Sequence, residues 1–207
     1  MKTISRKTID RALLYIRALE NLLKKKRDKI SSSELADITG SSDVQIRKDI
    51  SFFGKVGTPR IGYETKKLKD ILENFILQNN IVHIALFGVG NLGKAILKYP
   101  GFQTDKIKLV AAFDKAKNKI SKEVNGIKIY PVEQSWEVIK KVHAEIGIIA
   151  VPPQSSQEVA NLMVKAGLKG IINFAPSCIS VPENIFVKNI DFSIEILSIF
   201  SHTQVQK

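Results

Sequence analysis

Apolar residues in segment 8–26 recur at helical spacing: Ile9, Ala12, Leu13, Ile16, Leu19, Leu22 and Leu23 fall on one stripe. The pattern predicts a helix capped by Thr8, with Arg11, Tyr15 and Arg17 off the stripe's centre. The run KKKRDK at 24–29 reads as its solvated end. Residues 29–54 read KISSSELADITGSSDVQIRKDISFFG. Ser31 and Glu34 have the S-x-x-E spacing of a capping box, which opens a short helix over Ser32–Thr39. Gly40 ends it. Ser42 and Gln45 open a second helix over Asp43–Phe53, with Ile46, Ile50 and Phe53 on its core face. Two short helices joined by a glycine turn, after a longer one, predict a helix-turn-helix. Gln45, Arg47, Lys48 and Asp49 avoid the apolar stripe, which would turn them toward base edges and phosphates. A three-helix bundle with a charged, exposed face gives the same pattern.

The glycines and proline of 54–63, GKVGTPRIGY, read as a hairpin or wing. Arg60 at its tip suits a minor groove, and an ordinary surface turn is the alternative. Leu68, Ile71, Leu72, Phe75 and Ile76 predict a connector helix within 64–80, with a domain boundary at 78–80. From 81 the periodicity changes to apolar runs separated by helix-like segments, which implies a parallel sheet with right-handed crossovers. Strands are expected at 81–87, 108–113, 126–132, 145–151, 170–174 and 185–190, with helices at 94–99, 135–143 and 156–166. In a doubly wound sheet the fourth strand lies beside the first. That puts Val151, Pro152 and segment 173–176 at the crevice. The helix expected at 191–205 is apolar on more than one face, which suggests cover by a second subunit; burial in its own domain is the alternative.

Composition narrows the classes. The chain has 207 residues and a net charge of +12, which suits a polyanionic partner. Residues 1–80 hold 17 Lys and Arg against 10 Asp and Glu, 17 − 10 = +7. All six arginines lie within the first 60 residues, which marks them as sites that call for a planar fork. Cys178 is the single cysteine, so an internal disulfide is excluded. With no long apolar run and no signal peptide, the expectation is a soluble, cytoplasmic chain without a membrane partner.

The chemistry centres on GVGNLG. The apolar stretch 81–87 leads into Gly88-Val89-Gly90-Asn91-Leu92-Gly93, and a helix-like run follows. Strand, glycine turn and helix are the setting in which G-x-G-x-x-G holds a pyrophosphate at a helix N-terminus. The next strand ends at Asp114, 114 − 93 = 21 residues past the last glycine. An acid there suits both ribose hydroxyls and favours NAD(H) over NADP(H), although Lys115 and Lys117 are close. A tight turn with a capping acid is the bland alternative. His83 falls within a strand, and His143 and His202 fall at helix ends. No acid–base group is placed at the crevice, and no spacing suggests a metal. The reading is a redox-sensing regulator rather than an enzyme. A small oxidoreductase with a DNA-binding appendage and a CoA- or nucleotide-binding regulator remain open.

These residues resemble the Rex family of redox-sensing transcriptional repressors. The likeness runs through ISSSELA (30–36), QIRKDISFFG (45–54), GY (62–63), GVGNLG, YPGF (99–102), FD (113–114), AVP (150–152), NFAP (173–176) and NIDFS (189–193). It implies a winged-helix DNA-binding domain (1–80), a Rossmann NAD(H)-binding domain (81–190) and a carboxyl-terminal helix (191–207) swapped in a homodimer. It also implies that NADH releases operator DNA while NAD⁺ permits repression. Gln45, Arg47 and Lys48 then match recognition-helix contacts, and Arg60 a wing contact. Gly88, Gly90, Asn91, Leu92, Gly93 and Asp114 match the dinucleotide site. Tyr99, Val151, Pro152, Phe174 and Pro176 fall near the nicotinamide, with Phe192 supplied by the partner. Arg17, Tyr99 and Asp191 resemble a redox-linked polar switch. From the residues alone, Asp191 reads as a helix cap.

Overall fold

The computed structural model describes residues 4–54, 56, 62–78 and 80–205. Arg60, expected at a wing tip, lies outside the described residues. The chain divides into two compact units, Met1–Asn80 and Ile81–Lys207.

The first unit is three helices, a strand pair and a fourth helix. Helix α1 spans Arg6–Lys24 and is capped by Ser5, whose hydroxyl accepts from the N–H of Thr8. The expected Thr8 cap is therefore corrected by three residues. Strand β1 (Lys29–Ile30) leads to α2 (Ser32–Thr39), where the Ser31–Glu34 capping box is complete. Gly40 turns the chain with φ +67°, a conformation that suits glycine. Helix α3 (Asp43–Phe53) follows the cap at Ser42. Strand β2 (Tyr63–Glu64) pairs antiparallel with β1 and leads into α4 (Thr65–Leu77). Tyr15, Leu19, Leu35, Ile46, Ile50, Leu68 and Leu72 form its core. Two positions on α1 depart from the expected stripe. Tyr15 is fully buried and Leu13 is about half exposed. Tyr15 and Ile16 flank the true contact line, and Leu13 points away from it.

The second unit is a seven-stranded sheet. Strand β3 (Val82–Phe87) is followed by α5 (Asn91–Lys98), a short 3₁₀ turn and β4 (Ile107–Asp114). The two-residue β5 (Glu123–Val124) precedes β6 (Ile127–Pro131). Then come α6 (Ser135–Val142), β7 (Ile146–Ile149), α7 (Pro153–Lys165), β8 (Gly170–Asn173), β9 (Phe186–Asn189) and α8 (Phe192–Val205). The strand order is β5-β6-β4-β3-β7-β8-β9, with every pair parallel except β5–β6. The order reverses between β3 and β7, so the crevice lies at their carboxyl ends. The β4–β6 connection crosses over through turns and β5 rather than a helix.

Strand alternation divides the core. Ala85, Phe87, Phe113 and Ile149 face α6 and α7, with Val159 and Met163 against them. Ile84, Leu86, Ala112 and Ile148 face α5, through Ile96 and Leu97. The register with β4 slips by one residue between Ile84 and Ala85. Helix α8 carries Phe192, Ile194, Ile196, Leu197, Ile199 and Phe200, each at least 60% exposed. No helix among the described residues is long and apolar enough to cross a membrane.

Candidate functional site

The turn after β3 is built from three glycines required for different reasons. Gly88 sits at φ +96°, and a Cβ on it would meet the Ala150 carbonyl oxygen at 2.4 Å. Its N–H donates to the Phe113 carbonyl at 2.8 Å, tying the turn to β4. A Cβ on Gly93 would meet the Gly88 carbonyl oxygen at 2.0 Å, so α5 needs glycine there to approach β3. Gly90 differs. Its φ of −77° is open to any residue, and no protein atom lies within 4 Å of a Cβ placed on it. The fold itself therefore gives no reason for glycine at 90. The space it keeps clear is at the start of α5, which has no side-chain cap, so its free N–H groups suit a phosphate.

Asp114 ends β4 beside this turn and is 8% exposed. Its Oδ2 accepts from the Val89 N–H at 2.7 Å and from Lys119 Nζ at 3.0 Å, and its Oδ1 accepts from the Ala116 N–H at 2.8 Å. Burial pushes this carboxyl up. The backbone donors and Lys119 outweigh that, and the group sits below the usual carboxylate range. Sequence reasoning named Lys115 and Lys117 as the cations near this acid. Lys115 instead pairs with Glu158 at 2.7 Å, and Lys119 is the one on Asp114. In a lysine-rich loop nothing in the spacing separates them.

A cleft of about 500 Å³ opens above these groups. It brings together Gly88, Gly90, Asp114, Val151 and Pro152 of the expected residues, and adds Phe87, Val132, Lys119 and Ser155. Pro152 is the residue before α7, which begins at Pro153, three residues earlier than the expected 156. Proline suits that first helical position because it has no N–H to leave unpaired. Asn91 and Leu92 form the first turn of α5, both exposed, and Gly93 is buried beneath them. Helix α5 thus starts at Asn91, inside the glycine motif, rather than at 94.

The remaining expected residues stand outside the cleft's lining. Tyr99 ends α5, about half exposed, edge-on to Phe102 with centroids 5.3 Å apart. Phe174 follows β8, half-buried, and its N–H donates to the Ile149 carbonyl at 3.0 Å. Pro176 is exposed. Phe192 opens α8 at 65% exposure. Asp191 Oδ1 accepts from the Ser193 N–H at 2.9 Å, which is the cap read from the residues. Arg17 is exposed on α1, in the other unit.

The side chains lining the cleft include no histidine, cysteine or tyrosine. His83 Nδ1 lies 3.1 Å from the Val142 carbonyl, and His202 Nδ1 lies 2.7 Å from the Ser198 carbonyl. No group of metal-ligating side chains occurs among the described residues. The cleft's glycine turn and terminal acid are the parts that can hold and orient a dinucleotide.

In the first unit, α3 presents Arg47 and Lys48 outward. Arg47 pairs with Asp43 at 2.6 Å, one turn back, and its Nη1 donates to Ser32 Oγ at 3.5 Å. Asp49 departs from the sequence pattern. It was expected on the exposed face and is 3% exposed. Arg11 forks onto it, with Nε at 2.6 Å and Nη2 at 2.7 Å, and the Tyr15 hydroxyl donates to it at 2.9 Å. Burial pushes this carboxyl up, and Arg11, Tyr15 and Gln45 more than offset it, so it stays ionised below the usual range. The Ser42–Gln45 cap is half a box. Ser42 accepts from the Gln45 N–H at 3.2 Å, while the Gln45 side chain goes to Asp49 at 2.8 Å.

Comparison with known proteins adds to this geometry. Residues 79–177 match the family described as "CoA binding domain", and residues 3–51 that described as "Putative DNA-binding protein N-terminus". The redox-sensing transcriptional repressor Rex of Pelotomaculum thermopropionicum is 40% identical over 200 residues, 97% of this chain and 93% of the relative. The protein of the same name from Carboxydothermus hydrogenoformans is 39% identical over 189 residues, 91% of each chain. A crystal structure of RSP, a Rex-family repressor, in complex with β-NAD⁺ and operator DNA has a TM-score of 0.90 at 29% identity, covering 100% of this chain and 95% of that one. RSP in complex with β-NADH has a TM-score of 0.86 at 28% identity, covering 100% and 97%.

Proposed function

The chain belongs to the Rex family of redox-sensing transcriptional repressors, and from that premise we propose that it binds operator DNA as a homodimer and lets go when NADH enters the cleft. The carrying observation is the cleft's side-chain set. Gly90 keeps room for a pyrophosphate and Asp114 can receive a ribose, and both stand in one cleft with Val151 and Pro152. In a chain of a repressor family, a dinucleotide held there serves as a signal.

The adenine half and pyrophosphate are common to both redox forms, so Gly88, Gly90, Asn91, Leu92, Gly93 and Asp114 serve affinity. Discrimination falls to the groups assigned to the other half: Val151, Pro152, Tyr99, Phe174, Pro176 and the partner's aromatic at position 192. The nicotinamide is cationic when oxidised and neutral when reduced. An apolar enclosure favours the neutral ring. Redox state then shifts an open–closed equilibrium only through that differential affinity. Arg17, Tyr99 and Asp191 are assigned to the polar contacts that exchange between the two states.

For DNA, α3 is the recognition helix, with Gln45, Arg47 and Lys48 facing the major groove and Arg60 reaching the minor groove. The surplus of cations in residues 1–80 supports phosphate contact. Helix α8 is the dimer element. Its apolar side chains are exposed all round, and Ile172 and Phe174 on the α5 side of the sheet are only partly buried. A patch of that kind marks an interaction surface. The proposed setting is the cytoplasm, with no membrane or metal partner. A gel shift on the chain's own promoter, titrated separately with NADH, NAD⁺ and NADPH, tests the proposal. Release by NADH at concentrations where NAD⁺ leaves the complex intact is the expected result. Equal release by both forms would sink it.

A further inference from the structure

We propose that Arg11 and Asp49 are positioning residues: they fix the side-chain amide of Gln45 so that its carbonyl oxygen faces the DNA, which makes Gln45 select a base that presents an amino group in the major groove. This deepens the proposed function, since it rests on Gln45 lying at the reading surface.

Asp49 sits on the inner side of α3, one turn after Gln45, and is all but buried. Its two oxygens receive four donors. Arg11 Nε and Tyr15 Oη lie at 2.6 and 2.9 Å from Oδ2. Arg11 Nη2 and Gln45 Nε2 lie at 2.7 and 2.8 Å from Oδ1. The Arg11 fork comes from α1, so the carboxylate is gripped at both oxygens by a helix outside the α2–α3 pair. An ionised carboxylate can only accept hydrogen bonds. Gln45 must therefore turn its –NH₂ toward Asp49, and Oε1 is left facing away. An unconstrained glutamine amide can present either end, because its two ends differ little in shape. Here the choice is made before DNA arrives.

The consequence is chemical. In the major groove adenine and cytosine present an amino donor, whereas guanine presents acceptors and thymine a carbonyl and a methyl. An outward Oε1 accepts from adenine N6 or cytosine N4 and has nothing to receive from guanine or thymine. The remaining amide N–H can donate to N7 of either purine or to thymine O4, so the preference for amino bases comes from Oε1. Arg11 and Asp49 reach no base, and they decide which bases Gln45 rewards.

The test measures binding of the full-length protein to an operator panel in which each base pair is replaced singly. Gln45→Ala locates the position: discrimination between amino bases and the others, expected near 10-fold, should vanish at one base pair. Asp49→Asn, whose amide can donate as well as accept, should remove most of that discrimination at the same base pair alone. In the Gln45→Ala background it should change that position no further. A uniform affinity loss across the panel, or full discrimination retained by Asp49→Asn, overturns the positioning role. If Gln45→Ala itself leaves every position unchanged, Gln45 is not a reading residue, and that failure is told apart by the same panel. Should Asp49→Asn fail to fold by circular dichroism, Arg11→Lys carries the test. It keeps the charge and gives up the fork, so selective loss at the Gln45 position supports the role and a uniform or absent loss overturns it.

Discussion

The carboxylate of Asp114 receives the Val89 N–H, the Ala116 N–H and Lys119 Nζ, so it braces the glycine turn as well as facing the cleft. Asp114→Ala should abolish the NADH response while leaving operator binding in the absence of cofactor. It should also leave the Val89 N–H without its acceptor, at a cost of about 1–3 kcal/mol. Titration calorimetry and a thermal melt read the two effects separately, and an NADH response equal to the parent's would remove Asp114 from the site. Gly90→Ala should divide them cleanly. With no protein atom near its added methyl, stability should hold within about 0.5 kcal/mol, while NADH affinity falls about tenfold or more. An unchanged affinity would mean that no pyrophosphate approaches there. Acid stability follows from the lowered pKa values of Asp114 and Asp49. Between the lowered folded value and the ordinary carboxylate value of about 4 the unfolded chain binds more protons. The stabilisation is thus present above that ordinary value and lost as pH falls through the folded one. Melting points of Asp49→Asn and Asp114→Asn measured from pH 7 to pH 3 should fall less steeply than the parent's, and parallel curves would refute the assignment.

Helix α3 carries the next prediction. Lys48→Ala should weaken operator binding evenly across sequences, with a salt slope shallower by about one unit, and leave NADH affinity unchanged. Unaltered operator affinity would take Lys48 off the reading surface. The same element shows where sequence reading works and where it stops. Ser31, Glu34, Gly40 and Ser42 act through contacts three residues apart, so α2 and α3 could be placed to the residue. Asp49 could not, because its meaning depends on Arg11, 38 positions away and on another helix. A charge that avoids an apolar stripe reads as exposed, and the buried fork reverses that. In the second unit the place of the fourth expected strand beside the first was legible, because glycine turns and apolar runs are local signals. The helix-free β4–β6 crossover and the choice of Lys119 over Lys115 and Lys117 were not, since a lysine-rich loop carries no periodic pattern.

At the scale of the molecule, two functions must be coupled, and α8 is the element with surface to spare. Its apolar residues lie on every side, an arrangement a helix tolerates only when buried all round. Burying one Leu, Ile or Phe side chain contributes about 1.5–3 kcal/mol, so two charged replacements at its centre should outweigh much of a dimer's stability. Leu197→Asp with Phe200→Asp is therefore expected to sediment as a monomer at concentrations where the parent is a dimer. Joining two DNA-binding units makes the second half-site contact intramolecular, which raises avidity by about 10²–10⁴-fold. The monomer should lose affinity for a two-fold operator on that order, yet bind an isolated half-site as the parent does. It should also lose the NADH response if, as proposed, the partner supplies the aromatic at the nicotinamide. A variant that remains dimeric would show that α8 is not the interface. One that is monomeric but still released by NADH would show that each cleft is complete without its partner, and the sensing step would then belong to the single chain.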